Sequence, residues 1–367
     1  MSIETPRLRT AAIPAPSSQW RRDAGGAPLL AVRDLRVHFR TPQGPARAVD
    51  GLSFDVAPGE IVGLVGESGC GKSATALAVM RLLPRRGVEL GGQIDWAGRD
   101  LLALPAAAMR RIRGREMAMV FQDPLTSLNP VFPVGDQLGE MFTRHLGLTR
   151  RQAAAAVVDA LARVGLQPSP DNRQPSTVGH RPSTVNRQPS TDISRAYPGQ
   201  LSGGIRQRVM SAMAMAASPK LLIADEPTTA LDVTTQAQVL RLIDDLRRQT
   251  GAATLLITHD LGVVAELCER VVVLYAGRAA EIAPVARLFA APQHPYTEGL
   301  LRAVRRLDEG RVEAAIPGAV SPATNYPPGC RFHPRCPYAI DVCRREHPPL
   351  FEVGETRAAC WLRAPTA

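Results

Sequence analysis

Eight consecutive residues, Gly66-Glu67-Ser68-Gly69-Cys70-Gly71-Lys72-Ser73, have the types and spacing to hold a phosphate chain. Glycines let backbone N–H groups turn inward around phosphate oxygens. Lys72 can then reach the terminal phosphates, and the Ser73 hydroxyl can ligate Mg²⁺. The sequence has 44 Lys and Arg in total, yet only Lys72 and Lys220 are lysine. A compact ammonium at position 72 therefore marks a place where a planar guanidinium would not substitute. Further groups could act on a bound phosphate. Asp225 could meet Mg²⁺ directly or through water, and Glu226 beside it suits the polarising of an attacking water. Gln122 could touch both metal and water, and His259 could contact a γ-phosphate. Taken singly these are weak signals, since a His after a strand is more often structural and a glycine-rich turn can arise by chance.

The elements that would position these groups are legible. The apolar run 61–65 has the length of a buried strand, and 74–83 reads as a helix, so the loop lies in the strand–loop–helix context that phosphate binding requires. Apolar runs at 117–121, 221–224 and 254–257 end at Gln122, at Asp225-Glu226 and at Thr258-His259 respectively. Four strands thus each deliver a polar group just past the C-terminal end, the edge at which a parallel α/β sheet binds ligands. One nucleotide site follows from that convergence. Elsewhere 29–32 and 35–39 read as strand, as does 48–56. Helical patterning covers 101–114, most of 134–165, a stretch from near Gln200, and 234–248. A hairpin is expected from 271–275 and 278–282 across Ala276-Gly277.

At 367 residues the chain can bury a sizeable core in more than one domain. No apolar run approaches the roughly 18 residues of a spanning helix. The N-terminus lacks the apolar stretch of a signal peptide, which points to a cytoplasmic protein. The net charge of +10 would suit nucleic acid, but aromatics are only 4% and no basic run is interleaved with them. A basic protein can equally lie against an anionic membrane face. Residues 1–28 lack periodicity and read as a flexible extension. Asn172-Arg173-Gln174-Pro175-Ser176-Thr177 recurs at 186–191. With little to bury, 168–192 reads as a disordered surface loop, with a phosphorylation or docking tract as the alternative.

Leu201-Ser202-Gly203-Gly204-Ile205-Arg206-Gln207-Arg208 resembles the signature motif of ABC-transporter ATPases. In that family's order stand the phosphate loop, Gln122 as the Q-loop, Asp225-Glu226 as the Walker B pair, Ala230-Leu231-Asp232 as the D-loop and His259 as the switch histidine. The resemblance covers about 29–300 and implies an α/β P-loop NTPase: a RecA-like core with an antiparallel β subdomain and a helical subdomain. A Ser-Gly-Gly turn opening a helix is a second anion site. The family implies a head-to-tail dimer in which Ser202, Gly203 and Gly204 cap ATP held by the partner's phosphate loop, with Asp232 at the interface. Two departures stand out. The aromatic that stacks on adenine in the family has no counterpart near Gln43, where Phe39 is the nearest aromatic, and 168–192 is an insertion.

His294-Pro295-Tyr296-Thr297 and the tail behind it resemble the C-terminal region of oligopeptide and dipeptide importer ATPases, as do 123–130 and 225–238. The chain then divides into the extension 1–28, an ATPase domain over 29–290 and a small Cys-containing C-terminal region over 291–367. The helical subdomain would span about 123–215. Cys330, Cys336, Cys343 and Cys360 lie in this tail. Disulfides do not suit a cytoplasmic protein, and the C-x₂₋₄-C pair common in zinc sites is missing. Four thiolates suit a 4Fe–4S cluster, which similar tails are understood to carry; zinc and free thiols are the alternatives. Cys70 and Cys268 read as packing residues.

The resemblance implies an ATP- and Mg²⁺-dependent ATPase subunit of a peptide importer, peripheral on the cytoplasmic face of the inner membrane. It would pair with a second ATPase subunit, a different chain being favoured, and dock beneath two permeases fed by an extracellular peptide-binding protein. Nickel, opine or glycoside importers share much of the pattern. A soluble ABC ATPase acting on nucleic acid would use the positive charge, but the long insertions usual in such proteins are absent, and no nucleic acid is expected. A regulatory subunit that binds ATP without turnover would not need both Glu226 and His259.

Overall fold

The computed structural model describes residues 27–122, 127–166, 193–228, 233–308 and 316–365. The extension over 1–26, the repeat at 168–192 and Asp232 lie outside the described residues. Two sheets organise the rest. Strands β1 (Leu30–Thr41), β2 (Gly44–Val56), β4 (Val88–Trp96) and β5 (Arg99–Asp100) form an antiparallel sheet in the order β2-β1-β4-β5. The larger sheet has β3 (Ile61–Val65), β6 (Met117–Val120), β7 (Leu221–Asp225), β8 (Ala253–Thr258), β9 (Arg270–Tyr275), β10 (Arg278–Pro284), β11 (Phe351–Val353) and β12 (Thr356–Ala358). Its order is β11-β12-β10-β9-β3-β8-β7-β6.

Strand β3 is buried along its whole length and pairs in parallel with β8 and β9. A strand covered on both faces reads as a continuous apolar run rather than an alternation, and Ile61-Val62-Gly63-Leu64-Val65 does. The parallel register sets out the site. Val65 is opposite Thr258, Asp225 opposite Ile257, and Val120 opposite Ala224. Gly66, His259, Glu226 and Gln122, each one or two residues past those pairs, must therefore leave the sheet at one edge.

Helix α1 (Lys72–Val79) opens directly from the phosphate loop, with Gly71 before it at φ 108°. It ends earlier than the periodicity of 74–83 predicts. Arg113 explains the stop: its guanidinium takes the carbonyls of Met80 and Arg81 at 2.8 and 2.6 Å, and Arg81 is left-handed at φ 50°. Helix α2 (Ala106–Ile112) is likewise shorter than the 101–114 expectation. Pro105 sets the boundary, because the residue before a proline is pushed out of the helical region while proline itself suits a helix start. Strand β4, which interrupts its alternation with Gly91-Gly92, is an addition to the sequence reading.

The helical lobe contains α3 (Val134–Leu146), α4 (Arg150–Arg163) and α5 (Gly203–Met215). Thr149 and Gln152 form a capping box at the start of α4, so two orphan donors are satisfied there. Leu138, Phe142, Val157, Leu161 and Val209 pack in a core that the lobe shares with the large sheet through Val120 and Leu222. Helices α6 (Val233–Thr250), α7 (Leu261–Leu267) and α8 (Val285–Ala290) complete the ATPase body, and α9 (Pro295–Asp308) begins the C-terminal region.

The C-terminal region does not trail away from this body. After α10 (Asp341–Arg345), the hairpin β11–β12 extends the large sheet, with Glu281 and Ile282 of β10 paired to Ala358 and Arg357. Phe332 and Tyr296 pack on Tyr275 of β9, with ring centroids 5.1 and 4.6 Å away. Each such side chain contributes about 2 kcal/mol through its burial, so the tail shares a core with the sheet.

Candidate nucleotide site

The phosphate loop is tight enough to require its glycines. A Cβ on Gly66 would stand 2.2 Å from the Leu274 carbonyl oxygen, and one on Gly71 would stand 2.2 Å from that of Ala48. Both glycines have positive φ, at 153° and 108°, where an L side chain is strained whatever the space. Lys72 is only 5% exposed. Its ammonium donates to the carbonyls of Gly66 at 2.7 Å and Glu67 at 3.2 Å. A buried cation hydrogen-bonded to neutral carbonyls gains from an anion placed beside it.

Such a place is present. A cleft of about 580 Å³ is lined by Ala48, Ser68, Gly69, Gly71, Lys72, Ser73, Ala74, Gln122, Glu226 and His259. That volume lies within the range of small-molecule sites. Ser73 Oγ donates to Asp225 Oδ1 at 3.1 Å. Burial pushes the Asp225 carboxyl above its ordinary range and Glu226 adds to this, against the Ser73 hydrogen bond and Lys72. A divalent cation between Ser73 and Asp225 would reverse the burial effect, so this hydroxyl–carboxylate pair fits Mg²⁺.

Glu226 follows β7 with φ 45°, a left-handed conformation for a residue that has a Cβ. Such strain costs about 1–3 kcal/mol and concentrates at functional positions. The Glu226 N–H is held by the Ile257 carbonyl at 2.9 Å. Its carboxylate meets two of the sequence-selected groups: Gln122 Nε2 donates to Oε2 at 3.1 Å, and His259 Nδ1 stands 3.5 Å from Oε1. The His259 side chain is 65% exposed, so it faces open solvent rather than a core. The grouping of Lys72, Ser73, Gln122, Asp225, Glu226 and His259 matches the sequence expectation.

Ser202 caps α5 through a hydrogen bond from Ile205 N–H at 3.4 Å. Ser202 and Gly203 are exposed. Neither they nor Gly204 are among the residues lining the cleft. Cys70 is buried and its thiol pushed up to about 11 by burial, and Cys268 is buried and pushed up to about 12 by the same cause. Both side chains pack in the core.

The sequence reading did not find the residues that hold the loop from behind. Glu67 N–H donates to Tyr296 Oη at 2.9 Å, and Arg335 forks onto the Glu67 carboxylate. Partners separated by more than 200 residues leave no local pattern.

Fold and cleft together define a P-loop nucleoside triphosphatase. Residues 49–229 match the family described as ABC transporter, and 280–343 match that described as oligopeptide/dipeptide transporter, C-terminal region. The Sinorhizobium fredii protein y4tR, whose name describes a peptide ABC transporter ATP-binding protein, is 48% identical, covering 91% of this chain and 94% of its own. A Brucella ovis protein named for peptide import and ATP binding is 46% identical, covering 92% of this chain and 97% of its own. Among solved structures, the dimeric ATP-binding cassette MJ0796 bound to ADP and Pi is similar, with a TM-score of 0.57. That likeness, at 21% identity over 70% of this chain and 98% of the other, speaks to the fold. The chain belongs to the ATP-binding proteins of ABC transporters, in the oligopeptide/dipeptide family.

Proposed function

We propose that this chain is the ATP-hydrolysing subunit of an importer for di- and oligopeptides. The observation that carries the reading is a C-terminal region of the oligopeptide/dipeptide type on the same chain as an ABC cassette. Relatives named for peptide transport, similar over nine-tenths of the chain, support it. In this reading the N–H groups of 68–73 and the Lys72 ammonium bind the phosphates. Ser73, Gln122 and Asp225 hold Mg²⁺, which when bound neutralises charge on the phosphate oxygens. Glu226 orients and polarises water, with Gln122 and His259 fixing its carboxylate, and His259 faces the γ-phosphate.

Two copies of the cassette complete each site. Ser202, Gly203 and Gly204 open α5 at the surface, away from their own chain's cleft, which suits binding a partner's nucleotide. Asp232, outside the described residues, is assigned to the same interface. The second ATPase is taken to be a different chain, and the pair docks on two permeases at the cytoplasmic membrane face, with an extracellular binding protein delivering peptide. Among the described residues no helix is long and apolar enough to cross a membrane.

The C-terminal cysteines belong to the same proposal. Cys330, Cys336, Cys343 and Cys360 line one small cavity of about 10 Å³, beside His294 and His333. Among the described residues no three His, Cys, Asp or Glu side chains are close enough together to hold a metal ion. The assignment of the four as ligands of a 4Fe–4S cluster, with zinc as the alternative, therefore rests on residue type and on their sharing this lining, not on a preformed ligand geometry. Burial pushes the Cys330 thiol up to about 11 and raises Cys336 and Cys360, and a bound cation favours their thiolates. Protein purified without oxygen should contain about four irons per chain, whereas one zinc and no iron rejects the cluster.

The transport reading is tested by affinity purification of the tagged full chain from membranes. Two permease chains should accompany it, and peptide-loaded binding protein should stimulate ATP hydrolysis. ATPase activity stimulated by DNA, without any membrane partner, would overturn it.

A further inference from the structure

We propose that Arg335 is a positioning residue for the phosphate loop, acting on it from the C-terminal region through Glu67. The two nitrogens Nη1 and Nη2 of Arg335 donate to Glu67 Oε2 and Oε1 at 2.7 and 3.1 Å. This two-pronged pairing fixes direction as well as distance. The Arg335 side chain is 6% exposed, so little water reaches its guanidinium.

Arg335 is itself held in place. Its Nε donates to the Pro317 carbonyl at 2.9 Å, and Nη1 reaches the Tyr275 hydroxyl at 3.4 Å. The fork therefore works as a fixed point rather than a mobile surface cation. Glu67 is gripped at two other atoms as well. Its N–H donates to the fully buried Tyr296 at 2.9 Å, and its carbonyl accepts from Lys72 at 3.2 Å.

Glu67 does not line the cleft, but Ser68, Gly69 and Lys72 do. The grip thus orients the first peptide units of the loop and the carbonyl on which the Lys72 ammonium rests. The next limb has little packing of its own, since a Cβ on Gly69 would meet nothing within 4 Å. A loop whose N–H groups must point at phosphate before it arrives gains affinity from such outside support, because less ordering remains to be done on binding. The alternative role for the same pair is a structural staple that ties the C-terminal region to the sheet and leaves the loop unaffected.

MgADP titration of the full chain separates the two roles, with the melting temperature measured without nucleotide. Arg335→Ala should raise the MgADP Kd about tenfold, a change typical of coupling between contacting residues. Glu67→Gln should weaken binding to a similar degree and add almost nothing in the Arg335→Ala background. Arg335→Lys, keeping charge but not the fork, should fall between wild type and alanine. A lowered melting temperature with Kd within about twofold of wild type would leave only the staple, as would additive effects of the two substitutions. If Arg335→Ala does not fold, the partly exposed Glu67 carries the test alone: an unchanged Kd in Glu67→Gln overturns the proposal. The inference rests on nucleotide occupying the cleft. Wild-type protein that binds no MgADP would refute that reading, whereas normal wild-type binding with unaffected variants refutes only the role of Arg335.

Discussion

The nucleotide cleft and the cysteine cavity are both assembled from residues far apart in sequence, but by opposite means. The cleft of about 580 Å³ is open and takes its charged groups from the ends of parallel strands and the loop after β3. The cavity is far smaller, about 10 Å³, and its four thiols come from turns, a short helix and the residue before a final 3₁₀ turn. At a sheet edge, strand register decides which side chains meet. Among turns, only tertiary packing does. The regions are also joined, since Arg335 and Tyr296 reach Glu67 while Cys336 follows Arg335 directly.

The largest expected effect separates the two regions. Glu226→Gln removes the proposed base without changing its shape, so ATP hydrolysis should fall about 10²–10⁴-fold while ATP binding persists. Iron or zinc at the proposed cysteine site should be unaffected. Single-turnover hydrolysis, ATP binding and metal analysis on one preparation test all parts. Turnover at the wild-type rate would remove Glu226 from its role.

The next effect probes the junction. Phe332 is 3% exposed and packs on Tyr275 and Tyr296. Phe332→Ala should lower unfolding stability by about 3–5 kcal/mol, as for other aromatic truncations in cores. If the C-terminal region were an independent appendage, chemical denaturation would show a separate early transition, with the ATPase transition unmoved. A single shifted transition sharpens the opposite picture, of one core spanning both regions.

The cleft was the more legible region for the same reason that it differs from the cavity. Continuous apolar runs ending in Gly66, Gln122, Asp225-Glu226 and His259 are local signals, and parallel register converts them into a site. For the cysteines, residue type indicated four ligands of one kind, but their meeting depends on Phe332, His294 and the hairpin β11–β12. That hairpin is two three-residue strands, too short for alternation to be read. Strand β4 escaped because Gly91-Gly92 spoil its pattern: Gly92 has φ 90° and sits against the backbone of Arg33 and Asp34. The clamp on Glu67 escaped altogether, since nothing near residue 67 or residue 335 announces a partner.

The smallest expected effect concerns a second tie between the regions, and it depends on pH. Asp50, midway along β2, accepts from Arg331 of the C-terminal region and from Arg278 of β10, the latter at 3.1 Å. Burial alone would raise its carboxyl, but Arg331 and Arg278 outweigh this and hold it at about 2, below the ordinary 3.8. The folded protein therefore binds this proton less readily than the unfolded chain does. The resulting stabilisation is present above about pH 4 and is lost as pH falls towards about 2, a total of about 2 kcal/mol. Asp50→Asn cannot titrate. Between roughly pH 5 and pH 3 the wild type should lose about 1 kcal/mol more unfolding free energy than the variant, measured by urea titration. Equal losses would mean that the Asp50–Arg331 contact does not persist in solution, leaving the connection to Arg335, the aromatic cluster and the pairing of β12 with β10.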